Sequence, residues 1–545
     1  MIQRIITVTF ISAIFMTGAF AQNSLSKAPE NWFNLDAKQD RVQGLSVEKS
    51  YRELLKGKTS KTVIVAVIDS GVDAEHEDLK DVMWVNADEI PNNGKDDDNN
   101  GYIDDIHGWN FIGGENGENV EYDTYEFVRL YRDLHKIYKD KDVDRLSKKE
   151  RKKYDQYLKL KKELEKKQAE AQQQSMQMGM FYQMLTGAIE QVKPHLEEGA
   201  EINIENLQKI DAGEDETLVQ SIDMLSNMFL NGASMDDLKE LEGATKYFEK
   251  QLKYHYNPDF DPRDIVGDNY RNSSERYYGN NDVEGPDAMH GTHVSGIIAA
   301  NRNNDIGMKG VANDVRIMSL RAVPDGDERD KDVANAIRYA VDNGARIINM
   351  SFGKQYSFDK KVVDAAVKHA VKNDVLLVHA AGNDGVNTDI TTFYPNDRYK
   401  NKRKQAKTWL EIGALSWQGG ENSIAGFSNY GVENVDVFSP GVDLYSTTPD
   451  NEYEASSGTS MAAPATSGVA ALIMSYYPKL SAKQVKKILL SSVVSGPNEV
   501  ISPKGDRVSL GKLCRTGGII NAYKALNLAN KTKGKRKIKI KRPRA

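Results

Sequence analysis

The sequence predicts an α/β fold, a mostly parallel sheet with helices on both faces, into which an all-α insertion is spliced. Three observations carry this expectation. Short runs of β-branched and apolar residues recur at 62–68, 315–320, 345–350, 375–380, 410–414 and 435–438. Such near-continuous runs suit strands buried on both faces. Helical patterns at 332–343 and 360–372 separate several of them, and strands alternating with helices make a parallel sheet. Between the first run and the second lies a long stretch with no strand-like run.

Taken in order, residues 1–21 place Arg4 before a short apolar run and end in Ala19-Phe20-Ala21. That is the pattern of a cleaved signal peptide. A retained anchor is the rival, and the Thr, Ser and Gly interruptions speak against it. The expected destination is export, to the periplasm or the extracellular medium. No later stretch reaches 18 apolar residues, so no transmembrane segment is expected after cleavage. Residues 22–60 are polar and mixed, with a helical patch at 46–55, and are expected as an N-terminal extension or short propeptide. Residues 61–115 and 259–530 are expected to form one α/β domain in two parts.

Residues 116–258 are the expected helical insertion. Phe127, Leu130, Tyr131, Leu134, Ile137 and Tyr138 recur at spacings of three and four, one face of a helix. The pattern continues loosely to about 174, and further helices are expected near 182–193, 216–229 and 234–247. A solvated spacer is the plain alternative. The tail, 531–545, is strongly basic and suits weak contact with anionic envelope phosphates, or is a frayed end. Across the whole chain, 73 basic and 79 acidic residues leave a net charge of −6, which gives no reason to expect a nucleic-acid partner. With Cys514 the single cysteine, no intrachain disulfide or cysteine-rich metal site can form.

Four segments carry chemistry. Asp69 follows the first strand, at the carboxyl end where parallel sheets hold ligands. It is placed to accept a hydrogen bond from an imidazole. His290 opens an apolar helix in His290-Gly-Thr-His293-Val-Ser-Gly296 and offers a general base near neutral pH. His293 makes a metal pair conceivable, but no acidic ligand follows it. Asn383 in Ala380-Ala381-Gly382-Asn383 supplies an amide donor at another strand end. Ser460 sits at the amino end of an apolar helix, where free N–H groups favour negative charge. Thr459 is expected to cap that helix, and Pro464 to fall near its first turn. Each residue alone has a bland reading as a turn or cap. Together they supply acid, base, nucleophile and oxyanion donor, the requirement for acyl transfer.

With these motifs in order, the chain resembles the subtilisin-like serine peptidases. The likeness rests on VIDSG at 67–71, HGTHVSG at 290–296, NMSFG at 349–353, AAGN at 380–383 and GTSMAAP at 458–464, with Phe427–Gly431 as a further core segment. The resemblance implies a serine endopeptidase in which Asp69 orients His290, His290 serves Ser460 as general base and acid, and Asn383 holds the oxyanion. It implies that Ser351, Phe352 and Gly353 pair with extended peptide or protein substrates. Ala380, Ala381 and Gly382 would form the opposite wall of the pocket. Small residues there imply tolerance of apolar P1 side chains.

The chain departs from the family in three places. Asp69 and His290 are far apart, and the insertion accounts for the distance. It is expected to act as a lid, filter, docking platform or oligomer contact, with decoration the alternative. Residues 22–60 are short for a folding propeptide, which favours an extension wrapped on the core. Asp96, Asp98, Asn100 and Asp104, with Gly101 between, match positions of a calcium loop, although position 12 is His107 and not glutamate. A structural Ca2+ is therefore expected, with a solvated acidic turn as its alternative; catalysis needs no cofactor. The competing function is a catalytically silent envelope binding or scaffold module built around the insertion.

Overall fold

A computed structural model describes residues 27–400 and 404–536. The expected signal peptide and most of the basic tail lie outside the described residues. The chain divides into two compact units, one comprising 127–260 and the other the described residues on either side.

The larger unit is built on a nine-stranded sheet. Its strands are β1 (Val63–Asp69), β2 (Gly108–Asn110), β3 (Val315–Arg321), β4 (Ile347–Met350), β5 (Leu376–Ala380), β6 (Trp409–Leu415) and β7 (Val437–Pro440). After the hairpin β8 (Leu444–Thr448) and β9 (Glu452–Ser456) come β10 (Val494–Ser495), the small pair β11 (Val500–Ile501) and β12 (Arg507–Val508), and β13 (Gly518–Ile519). The order across the sheet is β10-β13-β7-β6-β5-β4-β1-β3-β2. Every pairing is parallel except β10 with β13.

The strands alternate between two cores. Val63, Val65 and Val67 of β1 face one and Ala66 and Ile68 the other. Helices Met289–Ala299, Thr459–Tyr476, Ala482–Ser491 and Ala522–Asn530 cover the first face. Asp330–Asp342 and Lys360–Lys372 cover the second. A strand buried on both sides can alternate nothing polar, hence the continuous apolar runs. The strands missing from the sequence reading are the two- and three-residue ones and the β8–β9 hairpin, whose Glu452–Ser456 arm is largely exposed.

Residues 27–62 pack on the first core instead of standing apart from it. Trp32, Phe33, Leu45 and Val47 are fully buried. Residues 116–126, expected within the insertion, fold with the sheet unit: Val120 N–H donates to Ile112 O at 2.9 Å and Asp123 N–H to Asp325 O at 3.0 Å.

The helical unit contains one helix from Lys148 to Val192, started by a reciprocal Ser147–Glu150 cap. The sequence pattern expects separate helices on either side of the Gln- and Met-rich stretch, and the structure joins them. Both residues are good helix formers, and no proline intervenes before Pro194. Helices Glu216–Leu230 and Met235–Lys250 close a small core around Leu185, Val192, Leu207, Leu225 and Leu241.

The strand that leaves β4 is fixed by a buried cation. Lys354 Nζ, about 1% exposed, lies 2.9 Å from Glu126 Oε2 and 3.0 Å from Asp330 Oδ1, and also donates to Glu328 O. Its backbone pairs both ways with Tyr394, at 2.9 and 2.8 Å. Replacing one member of such a cluster strands the opposite charges in low dielectric. Lys354→Met keeps the volume and removes the ammonium. Its unfolding free energy in urea is expected to fall by about 3–5 kcal/mol; a change under about 1 kcal/mol would contradict this account.

Candidate active site

Adjacent parallel strands β5, β4 and β1 end at one edge of the sheet, and the sequence-predicted residues collect there. Asp69 closes β1 and is buried. Its Oδ1 accepts from Ser70 N–H at 2.9 Å and lies 2.6 Å from His290 Nδ1, across 221 residues of sequence. This bond fixes the neutral imidazole as the Nδ1–H tautomer and leaves Nε2 as acceptor. Burial alone would lower the His290 pKa. The Asp69 charge, the hydrogen bond and Asp287 outweigh it, so the imidazolium is held above its ordinary range. His293 does not join His290. Its Nε2 lies 3.1 Å from Glu454 O, and burial pushes its pKa down to about 4.

Ser460 is the second residue of helix Thr459–Tyr476. The structure corrects two expectations about that helix. Its N-cap is Gly458, with no side-chain cap; Thr459 does other work. Pro464 lies beyond the first turn, inside the helix, where its missing N–H leaves the Ser460 carbonyl without an intrahelical donor. The Ser351 hydroxyl takes that place, donating to Ser460 O at 2.8 Å. In return Ser460 Oγ donates to Ser351 O at 3.0 Å. No hydrogen bond joins Ser460 to His290 in this geometry; the Ser460 hydroxyl is directed at Ser351 O.

Thr459 orients Asn383. Its N–H and its hydroxyl both donate to Asn383 Oδ1, at 2.9 and 2.8 Å. An amide facing two donors with its oxygen presents its NH2 the other way. A Cβ built on Gly458 would stand 3.4 Å from Asn383 Nδ2 and 3.5 Å from Ser460 N. The two donors thus flank one small space that Gly458 leaves open. The Thr459 hydroxyl also accepts from Gly382 N–H at 3.0 Å.

Ser351, Phe352, Gly353, Ala380, Ala381, Gly382, Asn383 and Ser460 line one cavity of about 240 Å³. His379, Asp384, Phe393 and Thr459 complete it. His379 is buried behind the wall, with Nδ1 2.8 Å from Glu411 Oε1. Asn429 was not singled out from sequence. It is fully buried and laces the loop: Nδ2 donates to Ala381 O and Asp384 Oδ2, and Oδ1 accepts from the N–H groups of Asp384 and Val386. Its place in the Phe427–Gly431 segment was the available signal.

In the acidic loop, Asp96 and Asp98 of the spaced motif stand beside a carboxylate from outside it, Glu89. Carboxylate oxygens of Asp96 and Asp98 lie within 4.8 Å of each other and of Glu89. Asp104 accepts from the N–H groups of Asn93 and Gly94, and Asn100 Oδ1 from Tyr102 N–H. Glu89, outside the spaced motif, accepts from Asp97, Asp98 and Asp104 N–H and so closes the loop onto itself.

The Subtilase family profile, peptidase S8, matches residues 60–507. The chain is 42% identical over 187 residues to the thermophilic serine proteinase of Bacillus sp. (strain AK1), covering 34% of this chain and 42% of that one. It is 35% identical over 207 residues to subtilisin DY of Bacillus licheniformis, covering 38% and 70%. To the cell wall-associated protease of Bacillus subtilis (strain 168) it is 32% identical over 281 residues, covering 49% and 29%. The chain therefore spans less than half the length of the first and third of these relatives.

The Asp69–His290 pair makes a titration prediction. Followed by NMR in the Ser460→Ala protein, His290 is expected to keep its proton above the ordinary imidazole value of about 6.5. Asp69→Asn removes the stabilising charge, so the midpoint is expected to move down. A midpoint indifferent to Asp69 would break the pairing.

Proposed function

Because the chain belongs to the Subtilase family, we propose that it is a serine endopeptidase that cleaves extended peptide segments through an acyl-enzyme on Ser460. The observation that carries this reading is the 2.6 Å hydrogen bond between Asp69 and His290, two residues remote in sequence.

Asp69 holds His290 with Nε2 toward the cleft. Ser460 Oγ turns from Ser351 O, gives its proton to Nε2 and attacks the scissile carbonyl. The oxygen of the tetrahedral intermediate takes hydrogen bonds from Asn383 Nδ2 and Ser460 N–H, beside Gly458. His290 then protonates the leaving amine, and water reverses the sequence on the acyl-enzyme. Ser351–Gly353 offers backbone groups to an extended substrate as an added strand. A cavity walled by Ala380–Gly382 with Phe352 and Phe393 favours an apolar P1 side chain.

A structural divalent cation, Ca2+ by its all-oxygen donors, belongs to the same reading. Glu89, Asp96 and Asp98 would hold it, and its charge would relieve their mutual repulsion. Export follows from residues 1–21 and suits relatives such as the cell wall-associated protease of Bacillus subtilis. Among the described residues no helix is long and apolar enough to cross a membrane.

A fluorophosphonate probe is expected to label the folded protein, and Ser460→Ala to abolish the label. Absence of label on folded wild-type protein would favour the silent scaffold. Asn383→Ala should lower kcat by about 10²–10³-fold, the size known for oxyanion-donor loss in this family. Chelation is expected to lower the melting temperature and added Ca2+ to restore it. Glu89→Gln should blunt that response; a melt indifferent to chelator would remove the cation from the reading.

A further inference from the structure

Residues 29–46 look like an appendage in sequence, yet they reach the turn that presents Ser460. Trp32 and Phe33 belong to the same core as the helix bearing the nucleophile. The segment folds back on itself, Leu45 N–H donating to Phe33 O and Ser46 N–H to Leu35 O, each at 2.8 Å. Gly44 allows the fold-back, since a Cβ there would lie 2.4 Å from Trp32 O. Outward bonds tie it down at both ends. Asn34 Nδ2 donates to Lys309 O at 2.7 Å, Ala522 N–H to Leu45 O at 2.8 Å, and Asn521 Nδ2 to Ser46 Oγ at 2.8 Å.

The indole N–H of Trp32 is shared by two consecutive carbonyls, Val442 O at 3.1 Å and Asp443 O at 3.2 Å. These residues form the link from β7 to β8. The same link is bonded to the residues just before the nucleophile. Gly458 N–H donates to Gly441 O at 2.8 Å, Asp443 N–H to Ser457 Oγ at 2.8 Å, and Ser457 Oγ to Asp443 Oδ1 at 3.1 Å. Gly458 borders the space on which Asn383 Nδ2 and Ser460 N converge. Bonds from Gly441 N–H to Leu415 O at 2.9 Å and from Trp417 Nε1 to Asp443 Oδ2 at 2.8 Å hold the same link, and the Trp32 N–H is the donor that spans two of its carbonyls.

We propose that Trp32 is a positioning residue for the nucleophile and its oxyanion donors, and that residues 29–46 stay in the active enzyme instead of leaving as a propeptide. The kinetic consequence rests on the peptidase reading; the structural one does not. Losing one neutral donor corresponds to a change of about five-fold. Catalysis is sensitive to misplacement of reacting atoms on a sub-ångström scale.

Trp32→Phe keeps a buried ring and removes the N–H. In full-length protein we expect retained folding, about five-fold slower labelling of Ser460 by a fluorophosphonate, an equal fall in kcat, and an unchanged KM for a peptide substrate. Hydrogen exchange at the Gly458 amide, read in a Ser460→Ala background, should quicken by a similar factor. Unchanged exchange at Gly458, unchanged kcat, or an active protein whose chain starts after Leu45 would each overturn the proposal. Should Trp32→Phe fail to fold, the unsubstituted protein decides. There the Trp32 indole and Gly458 amide are expected to exchange through one shared opening, and independent openings would sink it. If the wild type takes no label while Gly458 exchange still quickens in the variant, the peptidase reading falls and the clamp stands.

Discussion

The helix bearing His290 lies so close to the end of β1 that Gly291 has no room for a side chain, and the segment leading to that helix crowds Gly71 likewise. A Cβ on Gly291 would fall 2.0 Å from Gly71 O and 3.1 Å from the Asp69 Cβ, and one on Gly71 would fall 1.8 Å from Glu284 O. Only this approach lets the residue beside Gly291 reach a carboxylate at the end of a central strand. The parallel sheet supplies the remainder. Because β5, β4 and β1 are neighbours running the same way, their carboxyl ends deliver the loop bearing Asn383, the segment Ser351-Phe352-Gly353 and Asp69 side by side. A site of residues so dispersed in sequence needs no long-range reach once the strand order is set.

Ser460 is held by an exchange of backbone and side-chain bonds that follows from a helix defect. Pro464 removes the donor that would otherwise occupy the Ser460 carbonyl. Ser351 fills the gap and receives the Ser460 hydroxyl at its own carbonyl. The segment Ser351-Phe352-Gly353 and the helix bearing Ser460 are therefore registered to each other. Small residues on both sides make the approach feasible, which is why Ser351-Phe352-Gly353 and Gly458-Thr459-Ser460 read as motifs at all.

Much of this was legible in the sequence. The long apolar strands were, because burial on both faces leaves no polar position to blur them. So were Asp69, His290, Asn383 and Ser460, because each stands among glycines or small residues that only close backbone contact explains. What escaped notice depends on partners distant in sequence. Asn429 looks like a loop asparagine until the carbonyl of Ala381 is beside it. Glu89 lies outside the spacing that marks the acidic loop, yet its carboxylate gathers that loop's N–H groups. Trp32 sits in a polar segment whose few apolar residues have no period, since the segment is folded back and its only helical piece at Trp32 is the three-residue 3-10 turn Trp32–Asn34. The two-residue strands β10 and β13 are too short to carry any pattern.

The long excursion between Asp69 and His290 raises the question of how the sheet unit keeps its geometry across it. Within that unit, the residues bordering the excursion are gripped by the segment that begins helix Asp330–Asp342. Arg329 bonds Asp123 at 2.6 and 3.0 Å and, through the same guanidinium, Asp261 at 2.8 Å. Arg263 forks onto Asp332 and Asp268. Lys354, one residue beyond Gly353, takes Glu126. Bidentate guanidinium–carboxylate pairs are directional, so they define position as well as supply attraction. Buried ion pairs contribute little net stability compared with apolar packing. Their presence at this point is better explained by the geometry they impose. The chain leaves and returns at one ionic knot, and the strand ends on either side can close around Asp69 and His290 whatever length of helix is strung between.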